Sequence, residues 1–143
     1  MPDERDAVTS SETQSYRGRT LLAVGVLVSG RGSNLQAILD AIDRGELPAR
    51  VDVVISNRSG VLALARAEQR NIPTAVHERA DFPSRRARDR AILGTLQAHD
   101  IGLVVNAGYS AILSKLVVAA YRDRIINIHP SLLPSFAGGM APK

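Results

Sequence analysis

Asn127 and His129 stand one residue apart in the stretch Arg-Ile-Ile-Asn-Ile-His-Pro that runs from Arg124 to Pro130. On a strand, residues so spaced point to one face while Ile128 points to the other. A histidine titrates near neutrality and can move a proton, and an asparagine amide is a good donor to a developing oxyanion. The pair could therefore stabilise an oxyanion and move a proton, and no Ser or Cys nucleophile is needed if the substrate brings its own amine. Pro130 and Pro134 would end the strand and stiffen the turn that holds the pair. The same histidine beside a proline would equally suit an ordinary turn, so the rest of the chain has to decide.

A second stretch with chemical potential is Ser29-Gly30-Arg31-Gly32-Ser33-Asn34, which follows an apolar run and precedes a helical pattern. Gly30 and Gly32 would let the backbone turn with positive φ and approach a ligand closely, and Ser33 and Asn34 sit where helix N-caps belong. The free N–H groups and positive dipole end of such a helix suit a phosphate. The spacing is not that of a Walker loop, and the third glycine of a dinucleotide fingerprint is missing because Leu35 or Gln36 stands there. A tight strand-to-helix turn with a capped helix is the plain alternative. A third stretch, Asn106-Ala107-Gly108-Tyr109-Ser110-Ala111-Ile112-Leu113, could line a pocket with a polar strand end and an apolar wall, or could simply turn into a helix whose leucines are core.

These stretches need elements to carry them, and the hydrophobic pattern supplies an alternation. Leu21 to Gly30 is an almost unbroken apolar run, the pattern of a strand buried on both faces. Leu35, Ile38, Leu39 and Ile42 then form an amphipathic helical stripe, with Gly45 as its stop. A strand is predicted around Val51 to Ile55, a helix around Leu62 to Arg70 and a short strand at Thr74 to Val76. A helix is predicted through residues 85–99, with Ala91, Ile92 or Leu93, and Leu96 as its buried stripe. A strand at Ile101 to Gly108, a short helix at Ser114 to Ala120 and a fifth strand ending at His129 complete the series. Strands that alternate with helices pair in parallel through crossovers, which predicts an α/β fold with a doubly wound, Rossmann-like, mostly parallel sheet and helices on both faces. Ligands of such sheets bind outside the carboxyl ends of the strands, where all three stretches fall.

Composition narrows the function classes. The chain has 143 residues and 45% hydrophobic content, enough for one domain with an apolar core. Cysteine is absent, which excludes disulfides and thiolate chemistry and gives no sign of an oxidising compartment, so a cytoplasmic location is the expectation. No run approaches the roughly 18–20 apolar residues of a membrane span, and no membrane partner is expected. The net charge is +4, but only Lys115 and Lys143 are lysine, and the cluster Ser84 to Arg90 reads as a solvated helix start. Aromatic residues make up 3%, too few for base stacking, and no nucleic acid partner is expected. His77 and His99 lie in contexts that do not suggest catalysis, and no spacing of potential ligands suggests a metal. Residues 1–20 read as a polar, disordered leader, and residues 21–143 as the domain.

Taken in order, Val26-Leu27-Val28-Ser29-Gly30-Arg31-Gly32-Ser33-Asn34-Leu35, the Asn106 to Leu113 stretch and Ile126-Asn127-Ile128-His129-Pro130 resemble the folate-dependent phosphoribosylglycinamide formyltransferases. The Asn-Ile-His-Pro motif is shared more widely with formyltetrahydrofolate deformylases and methionyl-tRNA formyltransferases, so the same donor with water or an aminoacyl-tRNA as acceptor is an alternative reading. The resemblance runs from about Leu22 to Phe136. It implies transfer of a formyl group from 10-formyltetrahydrofolate to the amine of glycinamide ribonucleotide in purine biosynthesis, with no metal. It further implies that Gly32, Ser33 and Asn34 hold the substrate phosphate, that Asn127 and His129 are catalytic, and that Arg85, Ser110, Ala111, Ile112, Leu113 and Asn127 contact the folate. Ala111 departs from the family, many of whose members carry arginine there. The family pattern also continues past a point equivalent to Lys143 and includes an aspartate that works with the Asn and His, so the chain is expected to be C-terminally incomplete and impaired in activity. A noncatalytic α/β module that binds a phosphorylated ligand is the reading that would stand without the resemblance.

Overall fold

A computed structural model describes residues 21–128. In this structure five parallel strands alternate with four α-helices: β1 (Leu22–Val28), α1 (Ser33–Asp43), β2 (Ala49–Ser56), α2 (Leu62–Glu68), β3 (Thr74–Val76), α3 (Arg85–Ala98), β4 (Leu103–Asn106), α4 (Lys115–Ala120) and β5 (Ile125–Asn127). A single turn of 3-10 helix, Arg79–Asp81, leads into α3. The strand order is β3-β2-β1-β4-β5, so the chain builds outward from β1 on one side and then returns to build on the other. The predicted α/β, doubly wound parallel sheet is therefore present. Its order reverses between β1 and β4, which opens a crevice beyond the carboxyl ends of those two strands.

The alternation of side chains along β1 explains why it is apolar throughout. Val24, Val26 and Val28 face one core with Leu35, Leu39 and Ile42 of α1 and Ala63, Leu64 and Ala67 of α2. Leu27 faces the other core with Ile92 and Leu96 of α3 and Val117 of α4. In β2 the register against β1 shifts between Val24 and Gly25, which pair with Val51 and Val53 and skip Asp52. The shift lets Val51 and Val54 both serve the first core while Val53 and Ile55 serve the second. At Gly25 the side chain of Leu96 on α3 presses against the sheet: a Cβ there would lie 2.7 Å from Leu96 Cδ2 and 3.3 Å from Ile101. The missing side chain is what allows that approach.

Helix ends follow local chemistry. α1 closes with Gly45 at φ 77, its amide bonding to Ile42 O at 3.0 Å and the Glu46 amide to Ala41 O at 2.9 Å, the paired bonds of a Schellman stop. α3 opens with the Ser84 hydroxyl accepting the Ala87 amide at 3.0 Å. Its buried stripe differs from the expected one, because Arg88 and Asp89 are buried along with Ile92 and Leu96 while Ala91 and Leu93 are only half-buried. The arginine-rich start of α3 is thus not a purely solvated face. On the side of the sheet that carries α1, an apolar cleft of about 390 Å3 opens among residues such as Leu22, Ile38, Leu103, Ile126 and Ile128. The expected leader lies outside the described residues, and none of the described helices is long and apolar enough to cross a membrane.

Two measurements probe this packing. Leu96 is fully buried against Gly25 and Ile101, so Leu96→Ala should cost about 2–5 kcal/mol in urea unfolding. His77 packs edge-on to Phe82 and shares a 2.9 Å hydrogen bond between its Nε2 and the Thr95 hydroxyl, and burial lowers its pKa from the ordinary 6.5. The unfolded chain therefore takes up the proton first. The contribution of neutral His77 to stability should be complete above about pH 6.5 and be lost as the pH falls through the lower folded value. His77→Gln should flatten that part of the stability profile.

Candidate active site

The loops that leave β1, β2 and β4 meet at the crevice, and a closed set of hydrogen bonds ties them together. The Ser29 hydroxyl, just past β1, donates to Asn57 Oδ1 at 2.7 Å and accepts the Ser110 amide at 2.6 Å. Asn57, just past β2, returns a bond from Nδ2 to the Ser110 hydroxyl at 3.1 Å. Ser29 is buried, so its hydroxyl is spent on structure and not left for a ligand. Asn106 closes β4 in the same manner, its Oδ1 accepting the Tyr109 amide at 2.9 Å. Asn127, at the end of β5, pairs in register with Asn106 and is exposed, and the Ile128 amide donates to Asn106 O at 2.9 Å. The expected partner of Asn127, His129, lies outside the described residues.

The turn from β1 into α1 depends on one glycine. Gly32 has φ 79 and ψ 26 and is itself the N-cap residue of α1, without any side-chain capping bond. Ser33 and Asn34 are therefore the first two helical residues and not the caps that their types suggested, Ser33 exposed and Asn34 buried. Gly30 does not share the positive φ expected of it. A Cβ on Gly32 would sit 2.7 Å from the Cα and Cβ of Ala63, so the loop is pressed against the start of α2. Two further bonds hold it there, from the Ala63 amide to Gly30 O at 3.0 Å and from Arg66 Nε to Arg31 O at 2.8 Å. No side chain caps α1, so no side-chain acceptor is spent on the first amides of the helix, an arrangement suited to an anion.

Across the second core, α3 and the loop after β4 enclose a cleft of about 380 Å3 lined by Asn57, Arg79, Arg85, Arg88, Ser110, Ala111 and Ile112. Arg85 is exposed at the first turn of α3, and Ile112 is 83% exposed at the mouth. Arg88 is buried, its Nε donating to Asp89 Oδ1 at 3.0 Å and its Cζ lying 6.0 Å from the centre of the Tyr109 ring. Burial raises the Tyr109 pKa above its ordinary 10.0, which keeps that ring neutral beside the guanidinium. Among the described residues, no group of three or more His, Asp or Glu is placed to hold a metal ion.

A family model described as formyl transferase matches residues 22–143. The chain belongs to the formyl transferase family. It is 44% identical over 115 residues to a phosphoribosylglycinamide formyltransferase of Haemophilus influenzae, an alignment that covers 80% of this chain and 54% of that protein. It is 43% identical over 118 residues to the human trifunctional purine biosynthetic protein adenosine-3, covering 82% of this chain and 12% of that protein. Its structure matches a glycinamide ribonucleotide transformylase from Symbiobacterium toebii with a TM-score of 0.75 at 45% identity, covering 81% of this chain and 55% of the other. The chain spans about half the length of the bacterial relatives it matches.

Within this formyl transferase fold, Arg85, Ser110, Ala111 and Ile112 share one cleft, while Leu113 packs instead against the second core with Ala111 beside it. Gly32, Ser33 and Asn34 occupy the neighbouring loop at the end of β1, and Asn127 stands at the end of β5. Sequence patterns place Ser29 in the glycine-rich stretch without a role of its own and single out none of Asn57, Arg79, Arg88 or Asp89. Ser29 and Asn57 do carry a signal, since each is a polar residue just past the carboxyl end of a strand. For Asp89 no such signal exists, because a carboxylate in an arginine-rich helix start reads as solvent-facing.

The loop geometry is open to a direct check. Gly32→Ala should destabilise the protein by roughly 1–3 kcal/mol or more in urea unfolding, from its left-handed backbone and the clash with Ala63. Gly30→Ala, with nothing within 4 Å of its Cβ, should change stability by less than about 0.5 kcal/mol.

Proposed function

We propose that this chain forms the substrate-binding part of a phosphoribosylglycinamide formyltransferase, which moves the formyl group of 10-formyltetrahydrofolate onto the amine of glycinamide ribonucleotide. The observation that carries the reading is the position of three stretches at the carboxyl end of the sheet. The Gly32 loop follows β1, the Ser110–Leu113 segment follows β4 and Asn127 ends β5, in a chain 44% identical to an enzyme of that name. The location in the cell that goes with this reading is the cytoplasm.

Each group has a part. The phosphate of glycinamide ribonucleotide sits on the uncapped amides at the start of α1, beside Gly32, Ser33 and Asn34, where the helix dipole favours negative charge. The pterin end of the folate lies along Ser110 to Leu113, with the Arg85 guanidinium available to its carboxylates. The substrate amine then forms a bond to the formyl carbon, whose C=O pair moves onto oxygen as an oxyanion. Asn127 donates its amide N–H to that oxygen, and His129 stabilises the charge and relays the proton lost by the amine. Collapse of the intermediate restores the C=O and breaks the bond to N10, which takes up the proton. Ala111, where many family members carry arginine, leaves that part of the folate contact to backbone and apolar groups.

Calorimetric titration separates the parts of this reading. Glycinamide ribonucleotide should bind the wild-type chain and bind Ser33→Ala more weakly by severalfold, with His129→Ala close to wild type. Formyl transfer, followed with glycinamide ribonucleotide and with water as acceptors, should favour the nucleotide and drop by about 100-fold or more in Asn127→Ala. Binding of the nucleotide without any transfer would leave a noncatalytic binding module. The absence of both would remove the reading.

A further inference from the structure

Asp89 is fully buried on α3, one residue after the buried Arg88. A carboxylate out of water is costly unless charged or hydrogen-bonding partners replace its hydration. Here both oxygens are engaged, and both lead to the same cleft. Oδ1 accepts from Arg88 Nε at 3.0 Å and lies 2.9 Å from Nη2, while Oδ2 accepts the Ser114 amide at 2.6 Å. Arg88 lines the cleft, and Ser114 comes directly after the Ser110–Leu113 segment.

That segment is neither helix nor strand, so its own backbone does not fix its course. It is held from its ends. At the front, the Ser110 amide and hydroxyl are bonded to Ser29 and Asn57. At the back, the Asp89 carboxylate holds Ser114, the N-cap residue of α4. Between these ties, Ala111 and Ile112 form the cleft wall. The buried Arg88 Nη2, although close to Oδ1, meets no acceptor in hydrogen-bonding geometry among the described residues. The pair with Asp89 thus fixes the place of the Arg88 side chain, which lines the cleft.

Stability alone is a weak reason for such a pair, because apolar residues of similar size often serve a core equally well. We propose that Asp89 is a positioning residue for the cleft: it sets Arg88 in one wall and anchors the Ser110–Leu113 wall through the Ser114 amide. The ligand affected is the formyl donor, and this part rests on the proposed folate role of the cleft.

Two variants test the proposal. Ser114→Pro deletes the amide donor at a residue whose φ of −75 a proline adopts without strain, leaving Asp89 and Arg88 in place. The double substitution Arg88→Leu with Asp89→Leu removes both charges together, so that neither is left buried alone. In both, hydrogen exchange of the Ser110 amide, which is bonded to the Ser29 hydroxyl at the front of the segment, should speed up by about tenfold or more, the scale of one charge-assisted hydrogen bond. Titration with 10-formyltetrahydrofolate should show a dissociation constant raised by about tenfold, while that of glycinamide ribonucleotide stays the same. Unchanged exchange in Ser114→Pro would overturn the proposal, as would parallel weakening of both ligands, which a merely structural role would produce. A wild-type chain that binds no folate would instead remove the assignment of the cleft, with the exchange rates still reporting whether Asp89 positions its wall.

Discussion

β1 pairs in parallel with β2 along its full length and with β4 from Val24 to Leu27, so it contributes hydrogen bonds on both edges and side chains on both faces. Every other element takes its place from that strand. α1 and α2 cover one face because they come after β1 and β2 as the chain builds in one direction, and α3 and α4 cover the other because they flank the strands on the return. The carboxyl end of β1 is constrained in two ways as a result. The loop to α1 must leave sharply, which Gly32 permits, and the loops after β2 and β4 must arrive within hydrogen-bonding reach of Ser29.

The polar groups at this end are of two kinds, distinguished by whether their bonding capacity is used within the protein. Ser29, Asn57 and Ser110 bond one another, which spends the Ser29 hydroxyl within the protein and fixes the loops that bear the groups open to a ligand. The first amides of α1 carry no side-chain cap, and the side chain of Asn127 is exposed. Around the cleft Asp89 and Arg88 are engaged with each other and buried, while the exposed Arg79 and Arg85 line the wall beside them. A rigid, internally satisfied layer beneath an open polar layer is what a site needs if its donors are to meet a ligand without first reorganising.

Much of this arrangement is legible in the order of the residues. Among the described residues periodicity places the four helices and the five strands, because Leu35, Leu39 and Ile42 recur at helical spacing and because strands buried on both faces must be continuously apolar. Boundaries are recorded less sharply: the first strand ends at Val28 and not Gly30, and the fourth spans Leu103–Asn106 within the longer apolar run from Ile101. The cap of α1 lies one residue earlier than side-chain types indicate, since Ser33 and Asn34 have the side chains of caps while a left-handed Gly32 takes the position. Burial of Arg88 and Asp89 is not legible at all, because charge predicts exposure until a specific partner such as the Ser114 amide is known to be near.

The sequence by itself determined the alternation of strand and helix, the parallel pairing that alternation requires, and the few polar and glycine-rich stretches that could carry chemistry. These are local properties, written in the spacing of apolar residues and in the conformational freedom of residues such as Gly32. Tertiary structure alone decided which strand ends became neighbours. Ser29 meets Ser110 across 81 residues and Asn57 across 28, contacts that arise from the order β3-β2-β1-β4-β5. An apolar strand records that it must be paired and covered, but its side chains carry little record of which partner lies on each edge, because backbone hydrogen bonds join any two strands alike.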